Sequence, residues 1–177
     1  MRLLFLFQNM NKYLNTLFVT MFGLGKIKKI PGTFGSLATI ILLYFFFHIL
    51  KISSNIILIG YIIIFIYSFF AIANYTRGNE NKDPKEIIID EFIGQFIPVY
   101  LYEISHGTQK SSDEAIIFYS IFFILFRFFD IIKPFPVNFF DKKYKNSFGV
   151  IMDDVCAGIY VVLSLICFMI LSNYFIQ

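Results

Sequence analysis

The sequence predicts an all-α integral membrane protein: a helical bundle of about five hydrophobic helices with an N-terminal amphipathic helix. Three observations carry that prediction. The 177-residue chain is 58% hydrophobic with a mean hydropathy of +0.71, whereas soluble domains are nearer half apolar. Its apolar residues fall in long uninterrupted runs, and the runs carry the argument because 25 Phe and no Trp inflate the average. Its basic residues gather in alternate connections between those runs. The length fits one domain over residues 1–177, with 1–23 as the surface helix and 24–177 as the bundle.

The start, MRLLFLFQNMN, has an apolar run too short for a signal-peptide core and no small-x-small cleavage site. Met10, Tyr13, Leu14, Leu17, Phe18, Met21 and Phe22 then recur at helical spacing, with Asn11, Lys12, Asn15 and Thr16 on the other face. This helix is expected to end at Gly23 and to lie in the membrane surface; packing on the bundle fits the pattern nearly as well. Residues 34–50 and 52–75 contain no Asp, Glu, Lys or Arg, and 155–176 form a third clean run. Each approaches or exceeds the roughly 20 residues that span a bilayer. Residues 92–102 and 115–126 are shorter apolar runs with polar ends, expected to pack within the bundle.

If all five runs cross, Lys26, Lys28, Lys29, Arg77, Lys82, Lys85, Lys133, Lys142, Lys143 and Lys145 share one side, and only Lys51 and Lys110 take the other. That bias places the first side in the cytoplasm. Every Gly/Pro-marked or charged stretch falls there: KKIPGTFGS, KDPKEIIIDE, RFFDIIKPFP and FGVIMDD. Four segments meeting at one membrane face predict one composite site.

In IPGTFGS, Thr33 and Ser36 flank a helix start whose free N–H groups suit a phosphate, or they form a plain turn and cap. In DPKEIIIDEFIGQ, Asp83 and Pro84 read as the N-cap and first residue of a helix, with Glu86 completing a capping box. That puts Asp90 and Glu91 two turns inside, where charge is costly and marks function. Gly94, one turn past Asp90, leaves room beside it. Arg127, Asp130 and Lys133 alternate in sign at spacings of three beside a Pro break. An Arg–Asp ion pair explains part of this; phosphate binding explains the rest. Asp153 and Asp154 are read at the mouth of the last helix, where the dipole favours negative charge. Successive side chains point about 100° apart, so both cannot cap.

Asp90, Glu91, Asp130, Asp153 and Asp154 thus form a carboxylate set without His or Cys neighbours, since His48 and His106 fall elsewhere. Oxygen ligands alone suit a hard cation, above all Mg²⁺, and disfavour zinc. Cys156 and Cys167, about 16 Å apart along one helix, lack the following Arg of a thiol phosphatase loop and read as packing residues. A Mg²⁺ site flanked by Arg127 and Lys133 fits phosphoryl transfer or hydrolysis.

The ordered segments PGTFGSL, DPKEIIIDEFIGQ and FRFFDIIKPFPVNFFDKK…FGVIMDDVCAG resemble the phosphatidylglycerophosphatase A family over residues 23–160. Asn146 and Ser147 stand where the family usually has two glycines, and Phe135 where it has Trp. The resemblance implies a Mg²⁺-dependent lipid phosphatase of the inner (cytoplasmic) membrane, multi-pass, with its site facing the cytoplasm. Its substrate would be phosphatidylglycerophosphate, its products phosphatidylglycerol and inorganic phosphate, in phospholipid biosynthesis. Asp90, Glu91, Arg127, Asp130, Lys133, Asp153 and Asp154 would be its catalytic set, the five carboxylates its metal ligands. Thr33, Ser36, Arg127 and Lys133 would bind substrate. Membrane lipid is the expected partner, with no nucleic acid and no obligate protein partner. A small ion-coupled transporter is the alternative, but it predicts charges spread through mid-span. A CDP-alcohol phosphotransferase would need a D-x-x-D-G-x-x-A-R signature, which this chain lacks.

Overall fold

The computed structural model describes residues 12–78, 81, 83–106 and 112–176. The expectations for residues 1–11, Lys82 and Lys110 lie outside them. The described residues form helices without strands: α1 (residues 12–19), α2 (Pro31–Tyr44), α3 (Ser54–Tyr75), α4 (Ile89–His106), α5 (Ser112–Ile132), α6 (Val137–Lys143) and α7 (Ser147–Ile176). A π-helical turn, Phe45–Ile49, continues α2. Among the described residues, four stretches are long and apolar enough to cross a membrane: Pro31–Ile49, Ser54–Tyr75, Asp113–Ile132 and Ser147–Tyr174.

The fifth apolar run, in α4, is interrupted by Asp90, Glu91, Gln95, Pro98 and Glu103, so composition alone does not mark it as a span. Its contacts show that it runs the same depth as α2. Glu91 lies against Gly32 at the start of α2, and Glu103 pairs with His48 at the far end, 3.3 Å away. The helix tolerates its polar groups because it is the centre of the bundle. Ile89, Asp90, Phe92, Ile93, Gln95, Phe96, Val99 and Tyr102 are all buried, so its charges face protein rather than hydrocarbon.

Three sequence expectations about helix ends are corrected. Asp83 does not cap a helix. Residues 83–88 form a turn, closed by Ile87 N–H to Pro84 O, and α4 begins at Ile89. Asp90 and Glu91 therefore sit in the first turn, where the helix dipole favours them. The last helix begins at Ser147, not at the aspartate pair. Asn146 caps it: its Oδ1 accepts the Gly149 N–H at 3.1 Å. Asp153 and Asp154 lie nearly two turns in and cap nothing. Nor does Thr33 cap α2; Ile30 holds that position with φ 47°, and Pro31 follows at the first helical residue.

The N-terminal helix is also more than a surface element. Asn15 of its polar face turns inward, its Nδ2 donating to Ala71 O on α3 at 2.9 Å, and Phe18 and Met21 pack against the core, while Lys12, Tyr13, Leu14 and Phe22 stay exposed. At its last residue, Val19 O accepts the Ile88 N–H at 3.0 Å. The chain at Gly25 presses so close to Glu86 that a Cβ there would lie 2.0 Å from the Glu86 carbonyl oxygen. The N-terminal segment thus braces the turn that delivers Asp90 and Glu91.

Candidate active site

Two glycines set the site. Gly94 follows Asp90 by one turn on α4, and Gly158 follows Asp154 by one turn on α7. A Cβ on Gly94 would lie 2.4 Å from Asp154 O, and one on Gly158 would lie 2.3 Å from Gly94 O. Side chains would hold the helices apart; without them the backbones touch, as small residues allow in membrane bundles. The turn above this contact brings Asp90, Glu91 and Asp154 together, with one carboxylate oxygen from each within 4.8 Å of the others.

The second layer comes from α2 and α5. Arg127 Nη1 pairs with Asp130 Oδ2 at 2.8 Å, stands 4.0 Å from Glu91 Oε1 and donates to Ser36 Oγ at 3.4 Å. Ser36 is fully buried and donates its own proton to Gly32 O at 3.0 Å, so it steers Arg127 rather than capping α2. Thr33 is half-buried on the same first turn, and its side chain makes none of these bonds. A Cβ on Gly32 would lie 2.1 Å from Glu91 Oε1. Glycine there lets a carboxylate dock on the positive end of α2.

Lys133 anchors the other side. It follows the last turn of α5 with φ 49°, a left-handed conformation usually left to glycine and costing other residues about 1–2 kcal/mol. The geometry swings its ammonium between Asp153 Oδ2 and Asp141 Oδ1, each 2.9 Å away. Burial works against that charge, but Asp153 and Asp141 outweigh it and hold the Lys133 pKa above its ordinary value. Asp83 also faces this rim. Although the residue is exposed overall, the protein crowding its carboxylate raises its pKa, with Lys133 opposing and Asp141 adding.

The five predicted carboxylates thus divide. Asp130 and Asp153 are neutralised by Arg127 and Lys133. Asp90, Glu91 and Asp154 form a cluster able to hold a metal ion. Two oxygens of this cluster, Asp90 Oδ1 and Glu91 Oε2, are buried without a protein partner. At an effective dielectric of about 20, each like-charged pair at such a separation repels by roughly 3 kcal/mol. Arg127, already paired with Asp130, cannot offset three such groups. An all-oxygen donor set with unpartnered lone pairs fits a hard divalent cation.

Sequence reasoning missed Gly32, Gly158, Asp141 and the rim position of Asp83. The repeated D-x-x-x-G spacing of Asp90–Gly94 and Asp154–Gly158 was a readable signal for the helix contact. Nothing local marks Asp141 as the partner of Lys133. The far-end group of His48, Glu103 and Tyr119, the last donating to Glu103 Oε1 at 3.1 Å, is remote from the cluster, as the placement of His48 predicted.

This helical frame, with three carboxylates on α4 and α7 flanked by Arg127 and Lys133, has known relatives. The family model for phosphatidylglycerophosphatase A matches residues 17–169. The chain belongs to that family. It is 38% identical over 142 residues to phosphatidylglycerophosphatase A of Haemophilus influenzae, covering 80% of each chain. It is 29% identical over 140 residues to the Escherichia coli protein of the same name, covering 78% of this chain and 73% of that one. A Bacteroides thetaiotaomicron protein named as a candidate phosphatidylinositol-3-phosphatase is 30% identical over 149 residues, covering 84% of this chain and 89% of that one. No solved structure matches. Membership makes the chain a membrane phosphatase, a phosphoric monoester hydrolase, and lends the transporter reading no support.

Proposed function

We propose that this protein hydrolyses phosphatidylglycerophosphate to phosphatidylglycerol and inorganic phosphate at the cytoplasmic face of the inner membrane. The observation that carries the reading is the Asp90–Glu91–Asp154 cluster, its ligand oxygens within 4.8 Å of one another, set beside the Arg127 guanidinium. The family match supplies the lipid phosphomonoester as substrate class. The basic bias of the connections supports the cytoplasmic orientation.

Asp90, Glu91 and Asp154 would hold Mg²⁺, which when bound supplies charge neutralisation at phosphate oxygens and a more acidic water. Arg127 binds a phosphate oxygen while Asp130 and Ser36 hold its plane. Its Nε is buried without a protein partner, leaving a donor for that task. Lys133, steadied by Asp141 and Asp153, presents a second positive charge at the rim. Thr33 on the first turn of α2 lies where a phosphate oxygen would meet the helix N-terminus. Lys26, Lys28 and Lys29 are exposed before α2 and draw the anionic lipid surface toward the site. A single domain over 1–177, with α1 at the bilayer surface, completes the picture.

The test is phosphate release from phosphatidylglycerophosphate by purified protein, with EDTA and with Mg²⁺ added back. Release is expected, lost with EDTA and restored by Mg²⁺. Activity untouched by EDTA would sink the metal role. Release from soluble phosphomonoesters alone would sink the lipid assignment, and faster turnover of phosphatidylinositol 3-phosphate would move the substrate to that lipid.

A further inference from the structure

Gln95 is fully buried in α4, and neither its amide oxygen nor its amide nitrogen has a protein partner. Such a residue is costly. A buried amide without hydrogen bonds forfeits solvation that an apolar side chain of the same shape never needed. Its position explains the cost. Gln95 follows Glu91 by one helical turn, so the two share a face of α4. Directly beside it, Gly94 is locked against Asp154 O and Phe126, which fixes the backbone from which the amide projects. The unpartnered atoms Asp90 Oδ1 and Glu91 Oε2 lie one turn above. Four buried polar atoms on two successive turns of one helix are thus left without a protein partner.

We propose that Gln95 is a water-positioning residue of this site. Its amide oxygen accepts a hydrogen bond from a water molecule, and its amide nitrogen fixes the orientation from below. The water's other hydrogen is directed at the carboxylate cluster one turn above. The held water is the one delivered to the phosphorus. Its oxygen forms the new P–O bond as the bond to the lipid alcohol breaks, one of its protons passes to a neighbouring carboxylate, and that carboxylate hands the same proton to the leaving alkoxide. Uncharged glutamine suits this place. It orders water without adding a fourth negative charge to the cluster, and its planar amide gives the water one geometry rather than several. This rests on the phosphatase reading above and adds the residue that orders its nucleophile.

The decisive variant is Gln95→Met, close in volume and lacking both polar atoms. The full-length protein in detergent is compared with wild type by phosphate release from phosphatidylglycerophosphate and by melting temperature in EDTA, where no metal contributes. The expected result is a split: kcat down on the order of a hundredfold, KM little changed, and a melting temperature equal to or above that of wild type. Gln95→Asn, which keeps the amide one methylene short, is expected to fall between the two. Normal kcat in Gln95→Met overturns the proposal. So does a melting temperature well below wild type, which would assign the amide to packing. Failure of wild type itself to release phosphate would overturn the function and this assignment together, whereas normal release by both wild type and Gln95→Met would overturn this assignment alone.

Discussion

α3 and α4 follow one another in sequence and pack in the same bundle, yet they are built on opposite rules. α3 carries no charged residue and is the most apolar of the four candidate spans. It buries only Ile57, Ser68, Ala71 and Ile72, while Ile63 and Phe70 are 63% and 66% exposed. α4 holds Asp90, Glu91, Gln95 and Glu103 and is buried along most of its length. In water the apolar helix would be the core. In a bilayer the hydrocarbon already satisfies α3, so apolar surface gives little reason to turn inward. Polar groups do have such a reason, since inside the bundle they find partners that lipid cannot offer. Burial in this molecule therefore tracks chemistry and close backbone approach more than hydropathy.

Substitutions on the two helices should separate along that line. The largest effect belongs to the carboxylates. Asp90→Asn and Asp154→Asn should each lower phosphate release by on the order of a thousandfold or more while the protein remains inserted and folded. Membrane extraction followed by activity assay checks both halves, and near-normal rates from either variant would remove that residue from the site. Next comes Gly94→Ala on α4. The added Cβ meets Asp154 O at 2.4 Å, so α4 and α7 must part, costing about 1–3 kcal/mol of stability and pulling Asp154 from Glu91. Thermal unfolding and turnover should fall together. The smallest effect is the same change on the other helix. A Cβ on Gly60 of α3 meets nothing within 4 Å, so Gly60→Ala should leave activity intact and raise stability by up to about 1 kcal/mol through helix propensity. Equal responses from the two glycines would break the comparison.

Much of this architecture was legible in the sequence because hydropathy and length act locally. The runs at 34–50, 52–75 and 155–176 each became a helix, and the ordered acidic and basic motifs named the family. Helix ends were less legible. Asp83-Pro84 has the chemistry of a helix start, yet Ile88 is pulled into the turn by Val19, a residue 69 positions earlier. The aspartate pair looked like a helix mouth because the long uncharged run begins only after it. Asn146 instead begins the helix two turns upstream, where its side chain reaches the Gly149 N–H. Lys133 in a left-handed conformation had no local signal, since only its distant partners Asp141 and Asp153 justify the strain.

Composition and patterning by themselves determined that the chain lives in a membrane and that its acidic and basic motifs gather at one face, because the cost of a charge in hydrocarbon depends on the residue and not on its neighbours. Only the tertiary structure decided which acids meet. Asp90 and Asp154 are far apart in the chain and converge because Gly94 and Gly158 let two backbones touch. Asp130 and Asp153, identical in chemistry, border that cluster, Asp130 reaching Asp154, but are held in ion pairs by Arg127 and Lys133. The assignment of a carboxylate to a cation or to an ion pair is a matter of a few ångströms, and distances of that size are set by packing.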